Sequence, residues 1–89
     1  MSFAQEVAFD SWSDFGPLTR ESIRVFNEVI RRVSGISYEP HRVSTDNDMS
    51  YRFLCAATNS QGTTSWDVLV VVNEPVKGRP RITGVRSLL

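Results

Sequence analysis

Cys55 and His41 are each the single residue of their type in this 89-residue chain. A thiol within hydrogen-bond reach of an imidazole is a nucleophile and its base, suited to attack on a carbonyl carbon. Such a pair needs both side chains on one side of the fold, and polar surroundings that favour the thiolate. The residues around Cys55 speak against both. Tyr51, Phe53, Cys55 and Ala57 alternate onto one apolar face of an extended segment. A hairpin turning at residues 46–50 sets Cys55 nearly opposite Pro40 and points His41 to the other face. The residues therefore read as a buried structural cysteine beside an exposed or edge histidine.

Two other clusters could bind ions. Asp46-Asn47-Asp48 places two carboxylates close together, but the segment is too short for a calcium loop and lacks its glycine and distal Glu. It reads as a polar turn. Lys77, Arg79, Arg81 and Arg86 make the C-terminal region locally basic, with Glu74 as the nearby acid. Anion or nucleic-acid binding would be the matching chemistry, yet no aromatic residue is interleaved to stack on a base. A solvated strand face is the reading that remains. There is no glycine-rich phosphate loop, nucleophile elbow or clustered metal ligand set. The expectation is a protein that is not an enzyme, with no catalytic residues, no cofactor and no metal.

Composition narrows the partners. Lys+Arg and Asp+Glu both number 10, so the formal net charge is zero. That disfavours non-specific nucleic-acid binding and a polybasic membrane anchor. It also leaves little repulsion between copies. No stretch approaches the roughly 20 apolar residues of a membrane span. One cysteine permits no internal disulfide, and the first residues carry no basic start or long apolar run, so a reduced, cytoplasmic setting is expected.

The elements that would position these residues read as one domain over 1–89. Residues 1–16 are an N-terminal arm or strand, in which Phe3, Val7, Phe9, Trp12 and Phe15 are too apolar for a free tail. The spacing predicts a helix over 19–34, with Thr19 as N-cap, Glu21 in the first turn and Gly35 as terminator. Ser22, Ile23, Phe26, Val29, Ile30 and Val33 form its apolar arc, and Arg24–Glu28 and Glu28–Arg32 can pair on its outer side. Residues 36–88 read as antiparallel strands. Ile36, Tyr38 and Val43 mark the first, with Pro40 at a bulge or edge; residues 51–58, 65–73 and 81–88 are the next three. The fold class is α+β, one amphipathic helix on a four- to five-stranded antiparallel sheet, with Phe26, Ile30, Phe53, Val68 and Val70 in the core.

This order, with Val43-Ser44-Thr45 leading into a turn and Tyr51-Arg52-Phe53-Leu54-Cys55 returning from it, resembles the cystatin (cystatin/monellin-like) fold family. It looks closest to small bacterial cystatin-like proteins. Trp12, Pro17 and Leu18 resemble the lead into the helix, and the stretch from Asn73 through Pro75, Gly78 and Pro80 to Ile82 resembles the last hairpin. The resemblance spans about residues 12 to 88. It implies a first hairpin bearing Gln-x-Val-x-Gly that enters the cleft of papain-like cysteine proteases. Here Asp46-Asn47-Asp48-Met49-Ser50 stands in its place, shorter and acidic, and no Trp accompanies Pro75 and Pro80 in the last hairpin. Carboxylates in that cleft would have to be desolvated at a cost of several kcal/mol.

The expectation is a protein-interaction module using the hairpin end of the sheet or its exposed face. Trp12, Asp46, Asn47, Asp48, Met49, Lys77 and Arg79 are the candidate contact residues, the partner being an unknown protein or a second copy of the chain. A cysteine-protease inhibitor with a degenerate first hairpin is the alternative. A further alternative is a small enzyme or ligand-binding protein with no recognisable site.

Overall fold

The computed structural model describes residues 12–46 and 50–88. One helix, α1 (Arg20–Ile30), precedes four strands, β1 (Ile36–Thr45), β2 (Ser50–Asn59), β3 (Ser65–Asn73) and β4 (Arg81–Ser87). The strands form a single antiparallel meander in the order β1-β2-β3-β4. Phe3, Val7 and Phe9 lie outside the described residues, as do Asn47, Asp48 and Met49.

The start of α1 follows from its first residues. Thr19 is extended, and its hydroxyl accepts from the Ser22 amide while the Ser22 hydroxyl accepts from the Thr19 amide. This reciprocal capping box satisfies two donors at the helix start, worth roughly 1 kcal/mol. The helix ends at Ile30, four residues before the expected limit. Tight backbone bonds from the Arg32 amide to the Val29 carbonyl and from Val33 to Ile30 close it. Gly35, at φ +90°, then turns the chain into β1.

The buried stripe of α1 is also displaced from the expected arc. Ser22, Val25, Phe26 and Val29 are buried, at the i, i+3, i+4, i+7 spacing of one face. Ile23 is 41% exposed and Ile30 is only partly covered. Ser22 can lie inside because the capping box uses its hydroxyl. Arg24 does not pair with Glu28. It bonds Glu21 one turn back and Glu74 at 2.7 Å, beyond the end of β3. Glu74 also accepts from the Tyr51 hydroxyl at 3.4 Å, so one carboxylate links α1, β2 and β3. The Glu28–Arg32 pair forms, loosely, at 3.8 Å.

Alternation in β2 and β3 builds the inner face. Phe53 lies beside Val70, Cys55 beside Val68, and Tyr51 beside Val72. The helix crosses this face, with the Phe26 and Phe53 rings edge to face at 4.9 Å. Val43 completes the core from β1. In β1 the register shifts between Pro40 and Arg42. Pro40 pairs with Cys55 and Arg42 with Leu54, so His41 is the extra residue of a bulge beside the expected Pro40. Before His41 the even-numbered residues face the helix; after it the odd-numbered ones do.

Trp12 to Gly16 run along the outer edge of β1. Gly16 and Val43 exchange both backbone bonds, and the Ser13 amide donates to the Thr45 carbonyl at 2.7 Å. This is one bridge and a flanking bond, giving the sheet four strands among the described residues. No described helix is long and apolar enough to cross a membrane.

Candidate functional site

Two surfaces remain after the core is packed. The first is the end of the sheet where the β1–β2 and β3–β4 connections lie side by side. Antiparallel order puts Thr45, Ser50, Asn73 and Arg81 at this end. It therefore gathers Asp46, from the first connection, with Lys77 and Arg79 from the second. The Asp46 carboxylate accepts from the Ser50 amide at 3.0 Å. Lys77 and Arg79 are exposed, and between Pro75 and Lys77 stands Val76, 81% exposed. Gly78, at φ +117°, makes the tight return that a side chain would strain. Val76 was missing from the sequence-based set, although its place between Pro75 and Lys77 in a loop was legible.

Trp12 is placed near the same end but is not free. The Arg52 guanidinium lies 4.3 Å from the Trp12 ring and 5.1 Å from the Phe15 ring. It also donates to the Ser44 hydroxyl at 3.1 Å, which in turn donates to the Ser13 carbonyl at 2.5 Å. Ser44 is fully buried by this arrangement. Burial by these rings holds the Arg52 pKa below its ordinary value, against the pull of the Asp46 carboxylate. Trp12 thus acts first as a strap that fastens the N-terminal segment to the sheet.

The second surface is the helix-free face. Leu54, Leu69 and Val71 are half-buried at its centre. Towards the end distant from Arg52, a depression of about 300 Å³ is bordered by His41, Arg42, Leu54, Cys55, Asp67 and Leu88. His41 and Cys55 both border this depression, but the Cys55 side chain belongs to the core on the helix-facing side of β2. They do not make a nucleophile pair. Cys55 is 2% exposed, and burial pushes its thiol up to about 12. It donates to the Phe53 carbonyl at 3.7 Å. A thiol kept protonated in this way is a poor nucleophile.

Arg81 and Arg86 point to the same helix-free face, while Lys77 and Arg79 project from the loop. Glu74, the expected acidic neighbour of this basic region, is committed to Arg24 and Tyr51. Among the described residues no three His, Cys, Asp or Glu side chains come together in a way that could hold a metal ion.

No protein-family model matches the chain, and no curated protein or solved structure matches it.

Proposed function

We propose that this chain is a non-enzymatic protein-interaction module of cystatin-like fold that grips its partner with the hairpin end of the sheet. The observation that carries this reading is Val76. An aliphatic side chain 81% exposed at a loop tip has no role in the core, and here it stands next to the exposed Lys77, with the exposed Arg79 in the same loop. Lys77 and Arg79 set positive charge beside this side chain, and the Asp46 carboxylate at the other edge of the same sheet end is held by the Ser50 amide. That pattern favours a partner with an apolar contact flanked by acidic groups. The order of one helix followed by a four-stranded meander supports the cystatin-like reading, and the Gly16–Val43 bridge lies where a first, fifth-counted strand would run. A reduced, cytoplasmic setting suits the free thiol of Cys55.

A photo-cross-linking residue placed at Val76 tests the reading in cells that make the protein. A discrete cross-linked protein is expected from position 76 and not from Gln61, in the β2–β3 turn at the other end of the sheet. No adduct from either position, or the same adducts from both, would overturn it. The acidic β1–β2 turn adds a second expectation. Purified protein at micromolar concentration leaves papain activity unchanged, and sub-micromolar inhibition would restore the inhibitor reading.

A further inference from the structure

We propose that the helix-free face of the sheet is a two-fold interface with a second copy of this chain, a surface separate from the hairpin end. The inference rests on the order of charges across the strands. One row of residues on this face runs Glu39, Ala56 and Asp67 across β1, β2 and β3. The next row runs Arg42, Leu54, Leu69 and Arg86 across β1 to β4. The first row is acidic, the second basic, and all four charged side chains are exposed. None of them takes part in the ion pairs found among the described residues. Leu54 and Leu69, half-buried, lie between the two arginines.

The bulge at His41 creates this order. Glu39 and Arg42 are three apart, and in a regular strand they would point to opposite faces. The extra residue returns both to the helix-free face.

A patch that meets a copy of itself about a two-fold axis must be self-complementary. An axis lying in this face, across the strands and between the two rows, satisfies that condition. It lays Glu39 over Arg42 of the second copy and Arg42 over Glu39. Ala56 meets Leu54, and Asp67 comes over the Leu69–Arg86 end of the opposing row. The depression bordered by Leu54 and Leu88 then lies beside the axis, where apolar side chains of the second copy can fill it. Zero net charge places no long-range repulsion against the encounter. Trp12 and Phe15 cover the Arg52 end of the same face and limit the contact to the remaining part.

Size sets the strength. Four strands about 4.8 Å apart and about seven residues long span roughly 20 by 23 Å, on the order of 900 Å² for the two copies together. That is at the low end for a specific interface, so the dimer is expected to be weak and concentration-dependent.

Sedimentation of the full chain from micromolar to millimolar concentration tests this. The mass is expected to rise from one chain to two. Arg42→Glu, on an exposed side chain, should raise the dissociation constant about tenfold, because a two-fold interface meets each substitution twice. Glu39→Arg combined with Arg42→Glu exchanges the β1 members of the two rows and should restore association. A mass of one chain throughout, as expected if another segment or protein covers the face, would overturn the proposal. So would a dimer indifferent to Arg42→Glu, which would point to strand-edge pairing or exchange. A double variant no better than the single one would overturn the two-fold register. None of these results bears on cross-linking from Val76.

Discussion

Phe53→Ala is expected to remove about 3–5 kcal/mol of stability, the cost of deleting a buried aromatic ring. The position leaves little room for relief. Phe53 is fully buried, meets Phe26 edge to face at 4.9 Å and stacks on Tyr51 at 5.9 Å. Its strand neighbours Val43 and Val70 are pinned by backbone pairing and cannot collapse into the gap. A domain of this length holds about 5–13 kcal/mol in total. The variant should therefore unfold at a much lower urea concentration, with its thermal midpoint down by roughly 15–30 °C. Phe53→Leu, which fills most of the space, should keep the greater part of the stability. A loss below about 1 kcal/mol for the alanine variant would mean that the helix does not rest on this ring.

The second large effect concerns Cys55. Its thiol is displaced from 9.0 to about 12 by burial. At neutral pH that displacement leaves about a thousandfold less thiolate than an exposed cysteine carries. Labelling by a disulfide reagent should be slower in the native protein by at least about that factor, and prompt in urea. Prompt native labelling would mean that the thiol is accessible and would reopen the nucleophile reading. The same displacement has a pH signature. Between about 9 and 12 the unfolded chain loses the thiol proton while the folded chain keeps it. Stability is therefore intact below about pH 9 and falls by about 1.4 kcal/mol per pH unit above it. Cys55→Ala should lack this slope. Tyr51, whose pKa is also raised, chiefly by burial, contributes equally to both proteins, so the difference belongs to Cys55.

Much of the fold was legible because strand alternation in this chain is clean. Trp66, Val68, Val70 and Val72 alternate with Asp67, Leu69 and Val71, and the third strand spans Ser65–Asn73 as the residues imply. Thr19 announces the helix start in the same local way, although the reciprocal bond from Ser22 was not read. The helix face was read less well. Ile23 drew the apolar arc towards itself, although Val25 fits the spacing with Ser22, Phe26 and Val29 and is fully buried. A polar Ser22 inside and an aliphatic Ile23 outside reverse the usual preference, and only the capping geometry explains it.

The candidate sites were legible in part. The hairpin residues Asp46, Lys77 and Arg79 could be named from turn chemistry, because connections lie at the ends of strands wherever the sheet is placed. The role of Trp12 could not, since its partner Arg52 is 40 positions away and the contact needs the N-terminal segment to run along β1. The two charged rows were hidden for a similar reason. Their order depends on register, and register depends on which residue is the extra one near Pro40.

That extra residue has a consequence for how the sequence can change. His41 acts as a phase shifter in a two-stroke pattern, and the chemistry on each side of it is correct only while the bulge holds. Losing His41 would leave Pro40 opposite Cys55 and Arg42 opposite Leu54 in a regular ladder, with every face kept. Pairing His41 into the ladder would instead force either residues 36–40 or residues 42–45 to exchange inside for outside, sending Glu39 towards the helix or Arg42 and Ser44 into the place of Val43. At this point the strand can spare a residue, but it cannot straighten around the one it has.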